Sequence, residues 1–403
     1  MSEPEHPISA WFTGPKSENG ERLAETIHWI LNDHLYWRRN YYPEDGLVVT
    51  SEQRRKQDQW NDLFNDQMSE LLAALKGDFP FFSPRYVAHM IAEQTMPSVA
   101  GYFAGLLYNP NNVTWEAAPV TVRLEREAAA MIAAMLGLDP ERSWAHLTSG
   151  GTVANTEALW VARTVRYLPH LVRDVATRLG LDLPSPLQPE GDLLGIDPTT
   201  ALESFTALFA AARTRWPEPQ AVERVIEALE TSEFNVTEQG VAALARRLGS
   251  EPVILVPESY HYSLPKIADL LGLGRRSMVT VPVDARFRML PAALESTIDE
   301  LEGKGRHILA VVAVLGTTEE GAIDPLHEIQ ALRDRRQAAG RPAFWLHADA
   351  AYGGYLRTML IPERMGLGEP VREVEIDDRR VRLPLVFPDE AALRALEALA
   401  GCD

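Results

Sequence analysis

The sequence predicts an α/β protein with a mostly parallel, doubly wound sheet, preceded by a helical N-terminal segment. Three observations lead there. The runs 253–256, 307–315 and 343–347 are nearly all aliphatic or aromatic, as strands covered on both faces are. Helical patterns separate these runs, and a strand–helix–strand order favours parallel pairing. At 403 residues the chain is also long enough to bury a large core.

Taken in order, residues 1–80 read as a helical lead-in. Leu23, Ile27, Ile30 and Leu31 recur at helical spacing, and Met68, Leu71, Leu72 and Leu75 repeat the pattern. Pro80, Pro84, Pro110 and Pro119 then break up a segment rich in aromatics and Asn into loops and short helices. Residues 124–136 are expected as a helix, and a second follows over 156–163. Between 167 and 250 the prolines at 184, 186, 189, 217 and 219 separate amphipathic pieces at 201–213 and 222–229, which suggests a helical insertion at the sheet's periphery. The remainder, 81–403, is expected to form one large domain.

Composition narrows the function. A formal charge of −18 argues against nucleic acid or an anionic membrane as partner. Cys402 is the single cysteine, so neither a disulfide framework nor a Cys-based metal site can form within one chain, and no metal is expected. The start, Met-Ser-Glu-Pro-Glu-His, is polar and acidic, unlike a secretory signal. No apolar run approaches the ~20 residues of a membrane-spanning helix. A reduced, cytoplasmic protein acting on a small molecule is the expectation.

Four segments carry chemistry. Phe344-Trp345-Leu346-His347-Ala348-Asp349-Ala350-Ala351-Tyr352-Gly353-Gly354 is an apolar strand ending in one carboxylate and small residues. Ligands of open α/β sheets bind at the carboxyl ends of strands, so Asp349 is placed to meet a cation such as a protonated pyridine nitrogen. Thr148-Ser149-Gly150-Gly151-Thr152 opens a helix, where backbone N–H groups and the helix dipole favour an anion. Taken alone, the paired glycines are more often what an ordinary helix cap needs. His261, between Tyr260 and Tyr262 after the first strand, can lie flat on a planar ring, although a lone His is more often simply bonded to backbone. Gly316-Thr317-Thr318-Glu319-Glu320-Gly321 follows the second strand, where a polar turn is the plainer reading. All four lie at equivalent termini and converge on one sheet edge.

Ser-Gly-Gly-Thr-Val-Ala-Asn (149–155), His-Tyr-Ser (261–263), Gly-Thr-Thr-Glu-Glu-Gly (316–321) and His-Ala-Asp-Ala-Ala-Tyr-Gly-Gly (347–354) resemble the group II pyridoxal-phosphate-dependent amino acid decarboxylases. Phe81-Phe82-Ser83-Pro84-Arg85-Tyr86 and Leu107-Tyr108-Asn109-Pro110-Asn111-Asn112 are most similar to microbial tyrosine decarboxylase-like members. The resemblance runs in order from about residue 40 to 403, apart from the insertion. It implies a fold-type I large domain with a seven-stranded sheet, pyridoxal 5'-phosphate as cofactor, and decarboxylation of tyrosine or another aromatic amino acid. It further implies that Asp349 holds the pyridinium N–H, that Ala351 and His261 cover the two ring faces, and that Ser149, Gly150, Gly151 and Thr152 take the phosphate. Thr318 would lie near the ring hydroxyl, and Phe82, Tyr86 and His89 would face the substrate. The apolar stripes near Leu23–Leu31 and Met68–Leu75 have few partners within the lead-in, so a homodimer is expected for the complete enzyme, with the lead-in packed across the partner.

The resemblance fails at one place. The family's Schiff-base lysine sits in a His-Lys pair downstream of the Asp349 motif, whereas the lysines here are Lys16, Lys56, Lys76, Lys266 and Lys304, and none follows a His. The end of the chain, Leu396 to Asp403, resembles the lead into that lysine. The expectation is therefore an N-terminal portion of a longer enzyme, with an incomplete sheet, no small C-terminal domain and little turnover alone. An aminotransferase or carbon–carbon lyase would use Asp349 equally well, and a lysine-free, non-catalytic partner subunit is the third reading.

Overall fold

The structure, a computed structural model, describes residues 8–86, 90–184, 193–360, 371–376, 379–384 and 389–403. The chain divides into two compact units, Met1–Leu124 and Glu125–Asp403. The lead-in expected over 1–80 lies within the first.

That first unit contains α1 (Gly20–Asn40), α2 (Ser51–Leu75), α3 (Met96–Tyr108) and the start of α4 (Pro119–Leu136). Both expected apolar stripes fall on helices. A capping box starts α2: Gln53 N–H donates to Thr50 Oγ1 and Thr50 N–H to Gln53 Oε1. α1 meets α3 through aromatic rings: the buried His34 stands edge-on to Tyr108 at 4.7 Å, and Trp37 is tilted against the same Tyr108 ring at 5.3 Å. Along α2, by contrast, Trp60, Leu63, Phe64, Met68, Leu71, Leu72 and Leu75 are all exposed.

In the second unit α5 (Gly151–Leu179) runs well past the expected end at 163. Pro169 lies inside it and does not stop it. The missing N–H costs one helical bond, while Val165, Val172, Val175 and Ala176 are buried around it. The helix ends where Gly180 adopts φ +62° and donates to Ala176 and Thr177 carbonyls. Then come α6 (Pro198–Arg215), α7 (Gln220–Glu230), α8 (Val236–Gln239) and α9 (Val241–Leu248). Leu208, Ala212, Ala221 and Val225 form a cluster with the second half of α5, apart from the sheet.

The sheet consists of β1 (Pro252–Pro257), β2 (Met278–Val281), β3 (His307–Val314) and β4 (Trp345–Asp349), all parallel, in the order β2-β1-β3-β4. The crossovers are α10 (Ser263–Leu270), α11 (Pro291–Gly303) and α12 (Leu326–Ala338). Four strands make up this sheet among the described residues, against the seven of the full fold the resemblance implies. The path steps from β1 to β2 in one direction, then back across β1 to β3 and β4. Right-handed crossovers that reverse direction must put their helices on opposite faces. They do: Leu264 and Ile267 of α10 pack with Leu159 and Ala162 of α5, while Leu294 and Ile298 of α11 and Leu326 and Ile329 of α12 fill the other side.

A bulge sits at the start of β3. Val253 pairs with Ile308 but Ile254 pairs with Ala310, so Leu309 is an extra residue and shares the α5 face with Ala310. β2 was not expected from the sequence, nor was the antiparallel pair β5 (Val371–Ile376) and β6 (Arg379–Pro384). The last helix, α13 (Glu390–Glu397), buries Ala392, Ala395 and Leu396 in the α11–α12 face.

Asp324 ties this face together. It is fully buried, its Oδ2 accepting from Val314 N at 2.7 Å and its Oδ1 from Met289 N at 2.6 Å. Burial pushes its pKa up to about 6, against the lowering effect of both backbone bonds. The native state therefore holds this proton more tightly than the unfolded chain, and stability falls as pH rises through 6. Between pH 4 and 7 the unfolding free energy of the wild type, relative to Asp324→Asn, should drop by about 2 kcal/mol. Urea denaturation across that range measures the difference, and a pH-independent gap between the two proteins would refute the assignment.

Candidate active site

The carboxyl edge of a parallel sheet gathers the segments that leave its strands. Here these are Ser259–Ser263 after β1, Gly316–Thr318 after β3 and Ala350–Gly354 after β4. The path changes direction between β1 and β3, the position at which open α/β sheets leave a crevice.

Side chains of β4 alternate between faces. Leu346 and Ala348 join the α11–α12 cluster and Trp345 the α5 cluster, so His347 and Asp349 fall on the α5 side. There Asn155 of α5 bridges them. Its Nδ2 donates to Asp349 Oδ2 at 2.8 Å and its Oδ1 meets His347 Nε2 at 2.7 Å. Asn155 is 4% and Asp349 7% exposed. A carboxylate only accepts, so Asn155 must turn its amide N–H₂ toward Asp349. Its oxygen then faces His347, whose Nε2 has to carry the proton. Burial pushes the His347 pKa down, partly opposed by the nearby Asp349 charge. The other carboxylate oxygen, Oδ1, receives the Ala351 N–H at 3.4 Å.

Asn155 closes the 149–155 motif, where the sequence alone assigns it no role. Its signal was available: it lies one turn after Gly151, on the same helix face, and an Asn inside an amphipathic helix needs partners if it is buried.

At the start of α5, Gly150 holds φ +149° and no side chain caps the helix. The first N–H groups of a helix have no intrahelical acceptor and carry its positive end. Ser149, Gly150 and Thr152 are exposed there. Gly151 is required by close approach, because a Cβ at this position would lie 2.8 Å from Ala351 Cβ. The turn after β3 is equally tight. Gly316 has φ +94°, and a Cβ on Gly353 would sit 2.0 Å from the Leu315 carbonyl oxygen. Gly353 N–H donates to that oxygen at 2.9 Å, and Leu315 N–H to the Asp349 carbonyl, also at 2.9 Å.

Beyond that turn, Thr317 is buried. Its Oγ1 accepts from Ala322 N at 2.9 Å and donates to Glu320 at 3.0 Å, while Thr318 is half-buried. His261 Nδ1 lies 2.7 Å from Ser263 Oγ and accepts Ser263 N–H at 3.3 Å, with its ring 4.2 Å from that of Tyr262. Gly151, Ala351 and Asp349 are thus brought together, and His261 and Thr318 share their sheet edge. Phe82 and Tyr86 belong to the other unit, where Tyr86 packs edge-on against Phe81 at 5.0 Å and Phe82 is exposed. His89 lies outside the described residues. Among the described residues no cluster of three or more His, Cys, Asp or Glu side chains could hold a metal ion.

Comparison with known proteins bears on this arrangement. Residues 228–369 match the pyridoxal-dependent decarboxylase conserved domain. The chain is 33% identical over 370 residues to the L-tyrosine decarboxylase of Levilactobacillus brevis, covering 88% of this chain and 53% of that protein. With the L-tyrosine decarboxylase of Enterococcus faecium it shares 34% over 368 residues, 88% of this chain and 54% of the relative. Among solved structures, mouse CSAD shares the fold, with a TM-score of 0.50 and 22% identity over 87% of this chain and 58% of that one. The chain spans about half the length of the curated relatives it matches. In the order of its motifs, its sheet and these matches, the chain is similar to the pyridoxal-phosphate-dependent decarboxylases over 88% of its own length.

Proposed function

We propose that this chain binds pyridoxal 5'-phosphate and serves the decarboxylation of an aromatic L-amino acid, L-tyrosine foremost, to the amine and carbon dioxide. The observation that carries the reading is the buried Asp349 carboxylate, held by Asn155 at the end of β4 on the same helix whose uncapped N-terminus adjoins Ala351. This donor and acceptor set fits the group. A cationic ring nitrogen needs a carboxylate, a phosphate needs free N–H donors, and a flat ring needs an approach with no bulky side chain, which Gly151 and Ala351 leave open.

When bound, the cofactor supplies an electron sink for the carbanion formed as carbon dioxide leaves. Asp349 keeps a proton at the ring nitrogen. Gly151 and Thr152 N–H groups, with the Ser149 and Thr152 hydroxyls, orient the phosphate at the positive helix end. Ala351 and His261 would cover the two faces of the bound ring, and Thr318 would stand by its hydroxyl. Lys266 is exposed, with its ammonium 4.7 Å over the Tyr262 ring, and no lysine here occurs in a His-Lys pair. These 403 residues therefore bind and orient the cofactor without supplying its covalent anchor.

The resemblance assigns substrate contacts to Phe82, Tyr86 and His89, and the L-tyrosine decarboxylase relatives favour a phenolic substrate. The exposed stripe of α2 is the surface on which a second copy packs, making a homodimer. No described helix is long and apolar enough to cross a membrane. With a single cysteine and an acidic surface, the working place is the cytoplasm.

Asp349→Ala should lower decarboxylation at least 100-fold, since a lost electrostatic contact at developing charge is worth about 3 kcal/mol or more. Carbon dioxide release by wild type and variant, each expressed from the whole natural gene, measures this, and more than a tenth of the activity remaining would exclude Asp349. In the same assay glutamate preferred over tyrosine would end the aromatic reading, and a monodisperse monomer in light scattering would end the dimer. Borohydride reduction with the cofactor should leave Lys266 unlabelled. Stoichiometric label there would make it the anchor after all.

A further inference from the structure

We propose that Asn155 and His347 are positioning residues for Asp349, acting as one hydrogen-bonded unit that leaves Oδ1 as the oxygen free to bond a protonated aromatic ring nitrogen. The inference rests on the reading of Asp349 given above and adds two residues to it.

The geometry is directional. Each donor in the series points toward the carboxylate: His347 Nε2–H to Asn155 Oδ1, then Asn155 Nδ2–H to Asp349 Oδ2. Positions i and i+2 of a strand lie roughly 6.6–7 Å apart on one face, a span that one carboxamide with a short bond at each end can bridge. Asn155 therefore holds both strand residues at once, from a helix that also packs on β3 and β4. Asp349 Oδ2 is engaged by a 2.8 Å bond, whereas Oδ1 has only the long 3.4 Å contact from Ala351 N–H. Oδ1 is thus the oxygen left with capacity for a strong bond.

His347 has a distinct part in this. A carboxamide can turn over, and an Asn155 that did so would set its oxygen against a carboxylate oxygen. The His347 donor opposite Oδ1 makes that alternative doubly unfavourable, because two donors would then face each other as well as two acceptors. A buried polar pair kept only for packing would have no need of this polarity.

The test compares two ligands. Pyridoxal phosphate and its carbocyclic analogue, in which the ring nitrogen is replaced by C–H, are titrated against wild type, Asn155→Leu, His347→Leu and His347→Gln. Wild type should prefer the nitrogen-bearing ligand by about 10- to 100-fold, the scale of a hydrogen bond to a charged group. Asn155→Leu and His347→Leu should lose most of that preference while binding the analogue as wild type does. His347→Gln, whose amide N–H can donate to Asn155 Oδ1, should restore it. Preference retained in both leucine variants overturns the proposal, and so does an equal loss of affinity for both ligands, which is what a merely structural pair would give. A wild type without preference removes the reading of Asp349 itself, and the proposal with it. In the ligand-free protein, ¹⁵N spectra should show the His347 imidazole as the Nε2–H tautomer, with its resonance identified by its absence in His347→Gln. The Nδ1–H tautomer would overturn the proposal whatever the leucine variants do.

Discussion

A carboxylate buried at the end of a parallel strand must be given donors, and most of what surrounds Asp349 follows from that need. Leaving such a group without partners costs several kcal/mol. The nearest backbone donor, Ala351 N–H, reaches it only at 3.4 Å. The main bond comes from Asn155, and so from α5, whose position against β3 and β4 is set by Leu159, Ala162 and Val165 in the sheet-facing core. The polar contact at the edge and the apolar packing beneath it are one arrangement. The same helix presents its uncapped start beside Ala351, so a negative site on β4 and a positive site on α5 are held at fixed separation.

The sheet supplies the frame. Because its path reverses between β1 and β3, the segments carrying His261 and Thr318 leave on diverging courses, and the crevice between them opens above the strand ends. Asp324 fastens the end of β3 to the segment before α11, accepting from the Val314 and Met289 N–H groups. Gly316 and Gly353 then let the turns after β3 and β4 pass within backbone contact of one another. Such crossings tolerate no side chain at the nearest point, which is why small residues crowd the sequence after Asp349.

How much of this could be read from the chain depended on whether the signal was local. β1 and β3 were legible because burial on both faces leaves an unbroken apolar run. β2 was not, since Met278-Val279-Thr280-Val281 is short and only Val281 is fully buried. The helix expected over 156–163 was too short because the packing that carries α5 on through Pro169 comes from α6 and α7, beyond the helix itself in sequence. Asp349 stood out as a lone carboxylate closing an apolar strand. Asn155 did not, because its bond to Asp349 spans 194 positions and a polar residue on a helix is ordinarily solvated. Sequence motifs located the ends of the elements, and only the packing of α5 on β4 joined them.

The approach of Gly151 to Ala351 has a consequence for how such chains can drift. The two positions share room for a single methyl group, and Ala351 already fills it. A larger residue at either one must move the helix start away from the strand end, lengthening the gap between the positive and negative sites. The pair therefore works as a gauge of fixed length, and inheritance can shift the methyl from one side to the other but cannot add a second.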